Sequence, residues 1–260
     1  MIDAEQLRHY ALGWCAWLRD AGVHDFVADD LHDYLRPPMP TPTPSIAALP
    51  PPPTVQNDGV QLARTIAQSV TTLDALHDAI RAFDGCALKR TAARAVIATG
   101  NPDARIMVIG EAPDAEEEQQ GLPFCGASGA LLGAMLASIG VERERDIFAI
   151  TSIFWRTPGN RAITPLERDV CAPFVQRFIA LQQPKLLLLL GGNAAQSLLG
   201  TSHGMMRLRG TVHHYECTGS GRTIPVLITA HPSFLMRQPT QKRHSWQDML
   251  ALKELLGRSE

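Results

Sequence analysis

The 260-residue sequence contains nothing approaching the roughly 20 consecutive apolar residues of a membrane-spanning helix. The uninterrupted leucine run at 186–190 is only strand-sized. Asp3 and Glu5 stand where a cleavable leader would have its apolar stretch, so secretion is not expected. Cysteine is scarce: five residues, widely spaced, with no Cys-x-x-Cys pair. That argues against a disulfide framework and for a reducing cytoplasm. Net charge is only −2, so the total does not signal a nucleic-acid partner. Its distribution is uneven. Residues 1–82 hold ten carboxylates against five basic side chains, and the remainder holds 19 basic against 16 acidic. The larger part is mildly basic, which permits a polyanion partner without requiring one.

What is present is the makings of a core, with 45% apolar and 19% charged residues. Residues 5–21 show a helical apolar stripe that includes Trp14, Trp17 and Leu18. Residues 37–53 contain nine of the nineteen prolines and cannot build a core. We therefore expect an N-terminal helical segment over 1–36, a proline-rich linker over 37–58 and an α/β domain over 59–260. Within that domain, 60–83 has helical periodicity. Apolar strands are expected near 106–109, 147–153, 185–190 and 224–229, with helical patterns at 129–139, 164–182, 193–199 and 246–256. Apolar strands alternating with helices predict a three-layer α/β/α fold around a mainly parallel four-stranded sheet. Ligand sites in such folds lie beyond the carboxyl ends of the strands.

Several polar segments follow those ends. Gly110-Glu-Ala-Pro-Asp114 opens a loop with five acidic residues and four glycines, and contains the apolar pair Pro123-Phe124. A solvated acidic loop would look the same, but an aromatic there is placed to stack on a planar ligand. Trp155-Arg156-Thr-Pro-Gly-Asn160-Arg161 follows the second strand, and reads either as a Pro-Gly turn or as a phosphate and water site. His231-Pro-Ser233-Phe234-Leu235-Met236-Arg237 follows the fourth. Its apolar triplet is either the start of a buried helix or a wedge for a base stack. Arg209 adds basic character nearby. Gly191-Gly192 lacks both a P-loop lysine and GxGxxG spacing, which leaves a generic nucleotide-binding reading weak.

Taken together, GEAPDAEEEQQGLPFCGASGALL (110–132), RTPGNRAITPLERDVC (156–171), LLLLLGGNAA (186–195), LRG (208–210) and HPSFLMRQP (231–239) resemble the uracil-DNA glycosylase superfamily, closest to its family 4. The resemblance covers roughly residues 83–256, in the family's order. It implies removal of uracil, or another deaminated base, by hydrolysis of the N-glycosidic bond after the base is flipped from DNA. It implies catalytic roles for Glu111, Glu117, Asn160 and His231, with Glu117 orienting water or holding the loop. It implies base binding by Gly110, Ala112, Phe124 and Thr151, and DNA contacts by Arg161, Arg209, Ser233, Phe234, Leu235, Met236 and Arg237. No lysine nucleophile is evident, so the expected enzyme is monofunctional. It would act in base-excision repair in the cytoplasm, associated with the nucleoid.

Two departures stand out. Family 4 holds a [4Fe–4S] cluster on four cysteines, whose positions here read Phe83, Cys86, Trp155 and Cys171. Two thiolates do not replace four, so we expect no cluster and no metal. The family also has an asparagine near the end of the second strand that reads the uracil edge. Thr151 stands there, followed by Ser152, and a hydroxyl cannot reproduce an amide's paired hydrogen bonds. Thr151 and the missing cysteines favour a second class of function, a non-catalytic lesion-binding protein on the same fold. The retained Glu111, Glu117, Phe124, Asn160 and His231 favour the enzyme. The N-terminal helix is a candidate docking element for a protein partner.

Overall fold

The structure, a computed structural model, describes residues 56–217 and 221–257. The expected N-terminal segment, with its docking helix, lies outside them. The first helix, α1 (Gln56–Ser69), begins inside the span expected to be linker. The single helix expected over 60–83 is two. Thr72 caps the second, α2 (Leu73–Ala82), by accepting the Ala75 N–H on its hydroxyl. Competition from threonine side chains for backbone donors is a common way to restart a helix.

Among the described residues six strands form one sheet: β1 (Ala98–Gly100), β2 (Ile106–Gly110), β3 (Ile147–Thr151), β4 (Leu186–Leu190), β5 (Val212–Glu216) and β6 (Thr223–Thr229), in the order β1-β3-β2-β4-β6-β5. The four central strands are parallel and correspond to the four expected from sequence. The sheet gains two antiparallel edge strands that the sequence does not announce. One is three residues long, and the other, VHHYE, is polar and largely solvent-facing. Strands β2, β3 and β4 are buried at every position. That is why they read as continuous apolar runs rather than alternating ones.

Successive strand residues feed opposite layers. Met107, Ile109, Leu187 and Leu189 pack with Leu76, Ile80 and Phe178 on one face, against α1, α2 and α6 (Pro165–Gln182). Ile106, Val108, Leu186 and Leu188 pack with Leu132, Leu136 and Leu252 on the other, against α4 (Ala127–Ala137) and α10 (Lys242–Gly257). Between these helices lie α3 (Ala115–Gln120), the one-turn α5 (Arg143–Asp146), α7 (Gly192–Leu199), the one-turn α8 (Met205–Leu208) and α9 (Pro232–Arg237). After β2 the chain turns toward β3, and β4 lies on the opposite side of β2. The switch point therefore falls between the carboxyl ends of β2 and β4, where Gly110 and Gly191 sit.

Candidate active site

A pocket of about 340 Å³ opens at this switch point. Glu111, Asp114, Glu117, Asn160, His231 and Arg237 are among the residues that line it. They come from the loops after β2, β3 and β6, so residues up to 126 positions apart in sequence meet because their strands are neighbours.

Glu111 bridges the two sides of the switch point. Its Oε1 accepts hydrogen bonds from the backbone N–H (2.9 Å) and side-chain Nδ2 (3.2 Å) of Asn193, in the first turn of α7. A carboxylate there also suits the helix's positive end. The approach requires Gly191. Its φ is +100°, and a Cβ on it would lie 2.5 Å from the Glu111 oxygen.

Glu117 is buried beneath the loop, and both carboxylate oxygens are committed. Oε2 accepts from the Asp114 N–H (2.9 Å), while Asp114 accepts from the Glu116 and Glu117 N–H groups, completing a capping box on α3. Oε1 accepts from the Phe124 N–H at 2.5 Å. Burial pushes the Glu117 carboxyl above the usual range, against the pull of these two donors. The short bond fixes Phe124, whose φ of +56° is unusual for an aromatic residue. Phe124 itself is 1% exposed. Its ring lies over Gly110, where a Cβ would stand 2.6 Å from the ring, and 5.9 Å from the His231 ring at an interplanar angle of 30°.

His231 caps α9. The Ser233 N–H donates to Nδ1 (3.3 Å), and the Ser233 hydroxyl lies 2.8 Å from the same nitrogen. With Nδ1 accepting, the neutral ring carries its proton on Nε2. Burial lowers the His231 pKa below the ordinary value, while Glu111 and Asp114 act to raise it. Asn160 sits in a left-handed turn (φ +55°), and its Oδ1 accepts from Arg156 Nε at 2.9 Å.

Several sequence expectations are altered here. Thr151 is not free to read a ligand: its hydroxyl donates to the Val96 carbonyl at 2.9 Å. The hydroxyl with spare capacity belongs to Ser152, which is 1% exposed and has no hydrogen-bond partner among the described residues. Its backbone N–H donates to the Gly110 carbonyl (3.0 Å), which places it beside the loop that carries Ala112 and Phe124. The signal for it was its place just past a strand end, shared with Thr151. Ser233 directs its hydroxyl to His231 rather than outward. Arg209 is paired bidentately with the fully buried Asp248 (2.8 and 3.1 Å) and also donates to the His244 carbonyl, so its charge is internal. Thr229 donates to the same carboxylate at 2.7 Å, locking the end of β6 just before His231. Arg161 is exposed but pairs with Glu167. In the apolar triplet, Leu235 is buried in α9, Phe234 is half-buried and only Met236 is exposed. Leu235 is therefore a core residue, and Met236 is the part of the triplet that projects. Arg237 is exposed on the pocket rim.

The four positions that carry cluster cysteines in family 4 do not fit an iron–sulfur cluster. Phe83 and Trp155 are buried with ring centroids 6.3 Å apart, and Phe83 meets Phe174 edge-on at 5.0 Å. Cys86 and Cys171 are both buried free thiols, and the neighbouring Cys86 thiol together with burial pushes the Cys171 thiol well up; two thiols do not supply the four ligands of a cluster. Among the described residues no group of three or more His, Cys, Asp or Glu side chains is arranged to hold a metal ion.

Residues 97–251 match the model of the uracil DNA glycosylase superfamily. The chain is 32% identical over 195 residues to the type-4 uracil-DNA glycosylase of Archaeoglobus fulgidus, covering 72% of this chain and 96% of that protein. It is 31% identical over 179 residues to the type-4 uracil-DNA glycosylase of Pyrobaculum aerophilum, covering 68% and 91%. With the Thermotoga maritima protein of the same name it shares 31% over 166 residues, 64% of this chain and 83% of the relative.

Proposed function

Since the chain belongs to the uracil-DNA glycosylase superfamily, we propose that it is a monofunctional DNA glycosylase that hydrolyses the N-glycosidic bond of uracil, or another deaminated base, as a step of base-excision repair. The observation that carries the reading is His231. Its Nδ1 accepts from Ser233, leaving Nε2–H as a donor beside a pocket that Glu111 and Asn160 also line.

In the proposed reaction the C1′–N bond breaks, the sugar becomes oxocarbenium-like, and the base departs as an anion. His231 Nε2–H donates to the base oxygen on which charge develops. A fixed neutral donor in a water-poor site strengthens as the charge grows. Asn160, whose Oδ1 is already held by Arg156, keeps its amide for the attacking water. Water adds its oxygen to C1′, and the proton it gives up passes through solvent to the departing base anion, leaving an abasic sugar and the neutral free base. Glu111 and Glu117 act through position: one joins α7 to the loop after β2, and the other holds Phe124 against Gly110. Ser152 supplies the hydroxyl for the base edge. Met236 and Arg237, at the rim, face the DNA. The protein works without an iron–sulfur cluster, its place taken by the packing of Phe83 and Trp155.

The helix expected over 5–21, within the N-terminal segment 1–36, is proposed as a docking element on a proline-rich tether that ends before α1, and the cytoplasmic nucleoid as the place of action. Among the described residues no helix is long and apolar enough to cross a membrane. The non-catalytic reading drew on Thr151 and the missing cluster cysteines; the similarity to proteins named type-4 uracil-DNA glycosylases favours the enzyme instead.

Labelled oligonucleotides containing uracil, hypoxanthine or xanthine, single-stranded and duplex, test the reading. Strand breaks only after alkali are expected, lost in His231→Ala and Asn160→Ala. DNA binding without breaks on any substrate would reject it.

A further inference from the structure

A second feature of the strand-carboxyl side lies outside the pocket. Residues 81–94 carry Arg81, Lys89, Arg90 and Arg94 against a single carboxylate, Asp84. Lys89, Arg81 and Arg94 line a groove of about 520 Å³ whose other wall is the end of α3, at Gln120 and Gly121. Two of these cations are partnered only by exposed carboxylates: Lys89 with Asp84 at 2.8 Å, and Arg81 with Asp78 at 2.9 Å. Such pairs are weak and give way to a stronger anion. Arg90 and Arg94 are exposed, and among the described residues neither has a carboxylate within ion-pairing distance. The nearby Glu118 does not neutralise them. Its oxygens accept from the Ala93 N–H (2.9 Å) and from Arg156 (3.4 Å).

The groove is tied to the pocket. The Glu118–Ala93 bond clamps the basic loop to α3, the same short helix that carries Glu117. Arg94 lies over Gly121, where an added Cβ would meet its Cδ at 3.0 Å, three residues before Phe124. Arg156 continues the basic line to Asn160 on the pocket wall. Cations that are unpaired or held only by exposed carboxylates, along a groove joined to the pocket through α3, match a phosphodiester chain, which offers one charge per nucleotide.

Taking the chain as a DNA glycosylase, we propose that this groove is a phosphate track, with Lys89, Arg90 and Arg94 contacting the backbone of the strand that delivers the flipped base. These contacts position and do not specify, so they act on all sequences alike. Anisotropy of labelled duplexes with and without uracil, across a potassium chloride series, tests it on the full chain. Lys89→Gln, Arg90→Gln and Arg94→Gln are each expected to weaken both duplexes and to lower the salt slope by about 1, and by about 3 when combined. Excision at saturating DNA should stay at the wild-type rate. Lys253→Gln, exposed at the opposite end of the sheet, should change neither affinity nor slope. A triple variant with wild-type affinity and slope overturns the proposal, as does an equal loss in Lys253→Gln. Wild-type protein that binds DNA with the expected salt slope but excises nothing would instead overturn the glycosylase reading and leave the track standing.

Discussion

Replacing Glu117 by Gln separates two roles for this carboxylate, holding the loop and handling the reacting water. Both oxygens accept backbone N–H groups in a site that is 4% exposed. Glutamine keeps one oxygen and turns an NH₂ toward the other donor. That removes a hydrogen bond to a charged group, worth about 1.5–3 kcal/mol, and leaves a buried N–H unpaired at about 1–3 kcal/mol. Against this, burial already disfavours the wild-type charge, as its raised pKa records, and the neutral side chain escapes that cost. A net loss of about 2 kcal/mol is expected, which in a domain of this size lowers Tm by about 4–8 °C. Phe124, no longer pinned at its positive φ, should then place the base poorly. Single-turnover excision should fall together with Tm, and cooling should recover part of it. A variant with wild-type Tm and abolished excision would refute the loop-holding role and assign Glu117 to the water. One with wild-type Tm and wild-type excision would refute the hydrogen-bond argument altogether.

Excision should decline in acid through a pH below 6.5, because protonated His231 can no longer accept from Ser233 at Nδ1. Its folded pKa is depressed, so the unfolded chain takes up the proton first. Stability is then intact above about pH 6.5 and is lost as pH falls toward the folded value. A midpoint at or above 6.5, or the same stability profile in His231→Asn, would contradict this. Ser152→Ala should leave stability within about 1 kcal/mol of wild type, as no bond is broken, yet lower uracil kcat/KM about tenfold or more. Thr151→Val should do the reverse, costing about 1 kcal/mol of stability and sparing activity; the opposite pattern would restore Thr151 as the reader. Phe83→Ala should cost about 3–5 kcal/mol by emptying space between Trp155 and Phe174, and metal analysis of the wild type should find no iron. Stoichiometric iron would refute the packing account.

The layers and the places where chemistry gathers were legible in the order of residues alone. Four apolar runs in alternation with helical patterns specify a parallel sheet covered on both faces, since only doubly buried strands need apolar residues at every position. The motif loops follow strand ends, and their residue types mark the pocket. What each polar side chain does there depends on groups far along the chain, which meet it only on folding. Thr151 and Ser152 are adjacent hydroxyls in sequence, but Val96, brought alongside the end of β3, satisfies one and leaves the other unpaired. Nothing in their neighbours along the chain separates Arg209 from Arg94, yet Asp248 on the last helix draws one inward while the other stays at the groove. The edge strands β1 and β5 were likewise invisible, because pairing to a neighbour, not their own composition, makes them strands. Local propensity and periodicity are carried by neighbours in sequence. Hydrogen-bond satisfaction and burial are carried by neighbours in space.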